Sequence, residues 1–290
     1  METYEVLIIG GGPAGLSAAV YAARSGASTC VIDAGVGGAA SNTPAIENYP
    51  ALGAIGGYEL VARFREDAER CGASLITGEA VKIEDGGRRV VLKSGQVLSC
   101  RALVLAFGSR PRPLGIENER SYLGAGLSYC ATCDGNFFKG KTVAVVGNTA
   151  HAKRDAAYLT ALAKKVFWIG ANGTAEGVEV IDGTVTALCG MPLSGVTVQA
   201  QDGRVRELPL DGLFVAKGYE PSGRALYTPL VQTNAQGYIL CNARMETSVS
   251  GIFAAGDIVD KPLRQIVTAA SDGAIAGQFA AAYARQSGKK

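Results

Sequence analysis

Net charge is almost absent from this chain. Its 290 residues set 28 Lys and Arg against 26 Asp and Glu, a formal balance of +2. Binding to nucleic acid rests on a basic surplus, so nothing in the bulk charge points to that class. Long apolar runs are missing too, although 48% of the residues are hydrophobic. None approaches the roughly 18–20 residues that a membrane helix needs. Met1-Glu-Thr-Tyr-Glu5 has no basic n-region and leads straight into an apolar run, so no signal peptide is expected. Histidine and tryptophan occur once each, as His151 and Trp168. Seven cysteines, an odd number with five of them scattered, do not form the framework of a secreted disulfide scaffold. Cys30, Cys71, Cys100, Cys189 and Cys241 read as small core hydrophobes. The other two, Cys130 and Cys133, have no second CxxC or CxxH pair to complete a tetrahedral site, so no metal is expected. The compartment this pattern implies is cytoplasmic.

Glycine, by contrast, is abundant, with 39 residues. Val6–Ile9 is a continuous apolar run and reads as a buried parallel strand. Gly10-Gly-Gly12-Pro13-Ala14-Gly15 follows at once. Ala-rich Leu16–Arg24 then reads as a helix, and Thr29–Ile32 as a second strand with Asp33 at its end. Glycines in such a turn let a pyrophosphate approach the backbone at a helix N-terminus, and the acid can take ribose hydroxyls. A lone GxGxxG is weak, but strand, helix and acid together predict dinucleotide binding. Further along, the pattern predicts a helix over Glu59–Cys71 and strands over Leu75–Lys82, Arg89–Leu92, Val97–Cys100 and Ala102–Ala106. Arg110-Pro-Arg-Pro113 reads as a hinge. A second strand–helix–strand follows at Thr142–Val146, 150–163 and Val166–Ile169, and an Ala-rich helix over about 265–284 closes the chain. The fold class is therefore α/β, with two Rossmann-like, three-layer ββα units as a distant internal repeat.

Cys130-Ala-Thr-Cys133-Asp134 lies between these units. A CxxC pair can close and reopen a disulfide, and its thiolate is the species that attacks another disulfide. A redox dithiol flanked by dinucleotide-type units predicts electrons passing from a bound cofactor to a protein disulfide.

The motifs, taken in order, resemble the low-molecular-weight flavin-dependent thioredoxin reductases nearly end to end. Gly10–Gly15 resembles that family's FAD pyrophosphate turn. Gly37-Gly38 and Glu47-Asn48-Tyr49-Pro50 resemble its flavin-side loop, Cys130–Gly135 its redox centre, and Gly256-Asp257 with Arg264-Gln265 its C-terminal FAD motif. The resemblance implies one FAD per chain. The implied contacts are Gly10, Gly12, Pro13, Ala14, Gly15, Asp33, Gly38, Asn48, Val81, Gly108, Gly256, Asp257, Arg264, Gln265 and Ile266. It further implies that Cys133 faces the flavin, that Cys130 attacks the substrate disulfide, and that Asp134 handles the proton. A homodimer is implied, and thioredoxin is the implied substrate. So is an FAD domain split around an inserted one: 1–113 and 241–290 for FAD, 114–240 for the CxxC domain. Two departures fall in the flavin domain, where Ala39 stands in place of the family's usual Gln and Phe107 in place of its usual Thr.

The larger departure is in the second domain, where the family binds NADPH through G-x-G-x-x-A. This chain reads Gly147-Asn-Thr149-Ala-His151-Ala152, and a Cβ at Thr149 crowds the phosphates. The arginines expected after the next strand, which would grip a 2′-phosphate, are replaced by Trp168-Ile-Gly170-Ala-Asn-Gly173, and no Lys or Arg occurs between Lys165 and Arg204. The helix expected there reads as deleted. NADPH is therefore not expected, and the pattern resembles the ferredoxin-dependent branch of the family. Plant-type ferredoxins near about −400 mV and thioredoxin near about −270 mV leave roughly 6 kcal/mol for the two-electron step. Lys153-Arg154, Lys164-Lys165, Arg88-Arg89, Lys261 and Arg264 are candidate docking cations for an acidic donor. Three alternatives stay open: an NAD(P)H-linked enzyme with a degenerate site, a reductase fed by another flavin, and a flavin redox sensor without turnover. His151 and Trp168 are expected to be structural, Trp168 as filling for the vacated site.

Overall fold

The computed structural model describes residues 2–35, 37–43, 45–171 and 173–288. They fall into two units, one of residues 1–110 with 220–290 and one of 111–219.

In the first unit, β1 (Glu2–Ile9) carries the apolar run, and Val6 to Ile9 are buried on both faces. α1 (Pro13–Arg24) and β2 (Thr29–Asp33) complete the first βαβ step. α2 (Gly57–Arg70) precedes β3 (Ser74–Thr77), β4 (Ala80–Glu84), β5 (Arg89–Leu92) and β6 (Val97–Leu105). The strands lie in the order β3-β2-β1-β6-β5-β4. Two sequence expectations change here. The single strand expected over Leu75–Lys82 is two, broken at Gly78-Glu79, because β3 pairs with β2 while β4 pairs with β5. The two strands expected within 97–106 are one. Arg101 projects outward mid-strand, where its side chain bonds Glu5 at 3.0 Å, without interrupting the pairing with β1.

The chain passes to the second unit through β7 (Ser109–Pro111). β8 (Leu127–Ser128) leads into α3 (Ala131–Asp134), a single turn that carries the cysteines. β9 (Thr142–Val146), α4 (Ala150–Thr160) and β10 (Lys165–Ile169) follow. β11 (Val178–Ile181) pairs directly with β10 in parallel. Residues 170–177 contain no helix among those described (Asn172 lies outside them), as the deletion read from the sequence requires. A meander of β12 (Thr184–Cys189), β13 (Gly195–Gln199) and β14 (Val205–Pro209) covers one face, and α4 the other. β15 (Gly212–Val215) completes a parallel sheet in the order β11-β10-β9-β15-β8.

β16 (Tyr219–Pro221) returns the chain to the first unit. The boundary expected at 240 thus lies at 219/220. Residues 220–240 have little regular structure beyond α5 (Arg224–Tyr227), but Tyr227, Val231 and Ile239 are buried with Leu7, Ile9 and Leu105. Burial, which a loop-like sequence does not advertise, assigns them to the first core. β17 (Ile252–Ala254) pairs with the second half of β6, and α6 (Ile266–Ser287) runs along α1. None of the described helices is long and apolar enough to cross a membrane.

Small residues let α6 and α1 approach closely. A Cβ on Gly273 would sit 2.0 Å from the Ala14 carbonyl oxygen, and one on Gly277 would sit 2.1 Å from that of Ala18. Ala276, Ala280, Ala281 and Ala284 fill the seam without exposure. Overpacking a seam of this kind costs about 1–3 kcal/mol, or more where backbone must move. Gly277→Val is expected to lower the unfolding free energy by about 3 kcal/mol in urea titration. Gln286→Ala, on the exposed side of the same helix, is expected to change it by less than about 0.5 kcal/mol.

Candidate active site

The first unit builds a cradle at the end of β1. Gly10 turns the chain with φ +121°, and a Cβ there would lie 2.1 Å from the Ala106 carbonyl oxygen. Gly15 lies so close under the turn that a Cβ would meet the Gly10 carbonyl oxygen at 1.8 Å. Gly12 is the N-cap of α1 and Pro13 its first residue, with Ala14 buried behind them. No side chain caps this helix, so its first N–H groups remain directed at whatever occupies the turn. Gly38, at φ +73°, closes the other side, with Gly12 Cα 3.4 Å from where its Cβ would be. Asp33 is buried and ion-paired with Arg65 at 2.6 Å, a partner the sequence reading missed.

The C-terminal motif lies between β17 and the start of α6. Gly256, at φ +81°, packs over Ala14. Asp257 follows it, and its Oδ1 is buried without a hydrogen-bond partner. Burial raises its pKa above the usual carboxylate range, against the pull of Lys261 and Arg264. Arg264 donates to the Asp257 and Val259 carbonyl oxygens, both at 3.2 Å, and stacks on Tyr238. Gln265 caps α6, and its Oε1 accepts from Asn48 Nδ2 at 3.0 Å, which joins a residue of the flavin-side loop to one of the C-terminal motif. Ile266 opens the helix beside them. Gly108, at φ +70°, has open space where a Cβ would be. Val81 stands apart on β4, 43% exposed. Phe107, in place of the family's usual Thr, packs on Tyr227 and on Gly223. Two of the proposed docking cations are corrected here. Lys261 is nearly buried against Asp272, and Arg264 is bound to the backbone, so neither is a free surface charge.

An uncapped helix start, a glycine cradle and a buried carboxylate oxygen lacking a donor fit a ligand with a pyrophosphate and hydroxyl groups, as FAD has.

In the second unit Cys130 and Cys133 form a disulfide and are both half-buried. Cys130 is the N-cap of α3, and its Sγ accepts from the Cys133 N–H at 3.2 Å. Ser128 organises the segment: its Oγ accepts from the Cys130 N–H at 3.0 Å and donates to Asp134 Oδ2 at 2.6 Å. Buried Glu119 accepts from the N–H groups of Leu114 and Gly115 and from the Tyr129 hydroxyl. Burial and that carboxylate push the Tyr129 phenol well above its usual range. Tyr219 donates to the Tyr129 carbonyl oxygen at 2.9 Å. Ser128, Glu119 and Tyr129 were not singled out from the sequence.

The second glycine-type turn differs from the first. Gly147 keeps the turn position at φ +142°. Thr149 Oγ1, however, accepts from the Ala152 N–H and donates to the Ala216 carbonyl oxygen, both at 3.0 Å. Helix α4 is thus capped by its own chain. Trp168, fully buried, donates its indole N–H to the Gly147 carbonyl oxygen at 2.6 Å. It is core, as expected. His151 pairs with buried Asp155 at 3.4 Å.

Two dinucleotide-type units, one with an open phosphate cradle and one with a dithiol, define a flavin- and disulfide-linked oxidoreductase. The model of the pyridine nucleotide-disulphide oxidoreductase family matches residues 4–273. The thioredoxin reductase of Bacillus subtilis (strain 168) is 38% identical over 98% of this chain and 96% of its own. Among solved structures, the thioredoxin reductase of Streptococcus pyogenes matches with a TM-score of 0.88 at 36% identity, over 98% of this chain and 99% of that one. The ferredoxin-flavin thioredoxin reductase of Clostridium acetobutylicum matches over 100% of both chains at 30% identity, with a TM-score of 0.55. The chain belongs to the pyridine nucleotide-disulphide oxidoreductase family and, within it, to the flavin-dependent thioredoxin reductases.

Burial raises the Asp155 pKa, and the nearby His151 and Arg154 oppose the shift without cancelling it. A raised folded-state pKa means that protonation favours the fold, so this group's contribution is lost as pH rises through the folded value. Asp155→Asn is expected to unfold at higher urea than the wild type at pH 7–8. That advantage fades at acid pH, where the wild-type carboxyl is protonated too. A wild type more stable than the variant at pH 8 would show that the His151 pairing outweighs burial.

Proposed function

We propose that this chain reduces the disulfide of thioredoxin through FAD and the Cys130–Cys133 pair. The observation that carries the reading is the disulfide on a segment organised by Ser128 and Asp134. When bound in the first unit, FAD supplies electron transfer from a donor to this disulfide. The turn Gly10–Gly15 and Gly38 would take the pyrophosphate, Asp33 the adenosine ribose and Asp257 a ribityl hydroxyl. Asn48, Gln265, Ile266, Gly108 and Gly256 would line the rest, with Arg264 bracing the Asp257 turn and Val81 as an outlying contact.

Reduction leaves a thiolate at Cys130, where the Cys133 N–H and the Thr132 hydroxyl lie 3.2 and 3.4 Å from Sγ. That thiolate attacks one sulfur of the partner disulfide, forming a mixed disulfide and expelling the other sulfur. Cys133 then attacks Cys130 Sγ, closing the pair and releasing the second partner thiol. The partner gains two electrons, and two protons end on its sulfurs. Asp134 Oδ2, held by the Ser128 hydroxyl, is the site that passes a proton. A homodimer belongs to the same reading by resemblance. A reducing compartment such as the cytoplasm agrees with the five unpaired cysteines.

For the donor we propose ferredoxin, on one observation: the second turn is closed by Thr149 and Trp168, and no arginine follows β10 to hold a 2′-phosphate. An N–H that a phosphate would need is already bonded within the chain. The comparisons weigh the other way. The family description names pyridine nucleotide, and the neighbour named for ferredoxin superposes less closely than the thioredoxin reductase of Streptococcus pyogenes. NAD(P)H is therefore the competing reading and the better backed by similarity.

Anaerobic flavin absorbance separates the two. The yellow protein is expected to stay oxidised with excess NADPH or NADH and to bleach with reduced ferredoxin. Rapid bleaching by either nicotinamide would establish the competing reading. For the disulfide step, Ser128→Ala is expected to keep its flavin and lose about 10- to 100-fold in thioredoxin reduction, the size of a misplaced catalytic group. Unchanged turnover in that variant would remove Ser128 from the mechanism.

A further inference from the structure

Lys261 and Asp272 form an ion pair of 2.6 Å whose side chains are only 11% and 14% exposed. Neither belongs to the motifs that identify the cofactor site. Burying two charges is costly, and a pair of this kind adds little net stability over apolar residues of similar size, so its presence calls for a role beyond the fold. The structure shows where it acts. Asp272 Oδ2 accepts both from Lys261 Nζ and from the backbone N–H of Gly256, at 2.6 and 3.1 Å. Gly256 sits at φ +81°, where a Cβ would lie 2.8 Å from the Cβ of Ala14 in the phosphate turn. The next residue is Asp257, with its buried and unpartnered Oδ1.

We propose that the Lys261–Asp272 pair is a positioning device for the FAD site: Asp272 fixes the Gly256 peptide, Lys261 neutralises Asp272, and Asp257 is thereby held to present Oδ1 to a hydroxyl of the cofactor. The inference rests on the reading that Asp257 contacts FAD. The charges around Asp257 agree with it. Lys261 and Arg264 favour its ionised form, whereas Asp272 opposes it, so an unneutralised Asp272 would leave two carboxylates beside each other in a buried site. Arg264 acts on the same turn through the Asp257 carbonyl oxygen rather than through Asp272, and so does not replace Lys261.

The test strips FAD from the full chain and measures its rebinding by quenching of flavin fluorescence, with urea unfolding of the FAD-free protein alongside. Replacing both partners, Lys261→Met with Asp272→Leu, removes the device without orphaning a charge. It is expected to weaken FAD binding by about tenfold or more, the loss usual for residues that orient ligating groups, while FAD-free stability stays near wild type. Lys261→Arg, which keeps the charge, is expected to bind FAD as the wild type does. In an Asp257→Asn background the double replacement is expected to cost less than about twofold further, because residues that act through one another are not additive. Wild-type affinity in the double variant would overturn the proposal, and so would an equal loss in the Asp257→Asn background. A wild-type chain that does not rebind FAD at all would overturn the cofactor reading itself, a result distinct from either.

Discussion

The close approach of backbone to backbone at the first glycine turn is the constraint on which the flavin half of the molecule rests. Gly15 stands where any Cβ would collide with the Gly10 carbonyl oxygen, and Gly10 where one would collide with Ala106. Those contacts press the start of α1 down onto the ends of β1 and β6. Once α1 is set, Gly273 and Gly277 can seat α6 on its carbonyl oxygens. The turn before α6, Gly256-Asp257, is then carried to the mouth of the same cradle. Residues far apart in sequence meet there because small residues leave the backbones nothing else to pack against.

The two units share one architecture but finish their turns differently. Each places a glycine with strongly positive φ after a buried parallel strand, Gly10 in one and Gly147 in the other. The residue that opens the helix decides which N–H groups each turn leaves unbonded by its own chain. After Gly10 the helix opens on Gly12 and Pro13 with no side chain on its first N–H groups. After Gly147 the helix opens on Thr149, whose hydroxyl takes one of those N–H groups for itself. Capping by Thr is worth about 0.5–2 kcal/mol to a helix. The second helix thus gains a cap of its own where the first has none. Trp168 completes that turn by donating to the Gly147 carbonyl oxygen from inside the core.

Local signals were legible in the sequence and distant ones were not. The strand Val6–Ile9, the turn, α1 and Asp33 are neighbours in the chain, and their pattern places a cradle without further information. The missing helix between β10 and β11 could be read from the short span of residues between them. By contrast, β6 was divided at Arg101, because a charged residue looks like a break until its outward direction and the Glu5 partner are known. The stretch 220–240 was placed in the second unit because its core contribution comes from isolated Tyr227, Val231 and Ile239, without periodicity. Lys261 looked like a surface cation because nothing in the sequence points to Asp272 as its partner. Ser128 was within reach, since it lies two residues before Cys130 and small hydroxyl side chains bond nearby backbone. Its bond to Asp134 still depends on the turn of α3.

The proposed function gives the two cysteines different roles, and the disulfide segment supplies a physical ground for that assignment. Both are half-buried and both belong to one short turn, so exposure does not distinguish them. Hydrogen bonding does. Cys130 Sγ receives the Cys133 N–H and lies beside the Thr132 hydroxyl, and the Cys130 N–H is fixed by Ser128. Bonds of this kind favour a charged acceptor over a neutral one, so negative charge left by reduction is better accommodated at Cys130. The attacking group in disulfide exchange is the thiolate, which is why the proposed reaction starts from Cys130. In that reaction Cys133 would resolve the mixed disulfide, a step for which a separation of three residues within one turn brings its sulfur within reach. Ser128 would link this choice to the proton handling proposed for Asp134, because the hydroxyl that fixes the Cys130 backbone also bonds Asp134. One side chain that neither strand pattern nor motif would single out thus touches both the backbone of the proposed nucleophile and the proposed proton carrier.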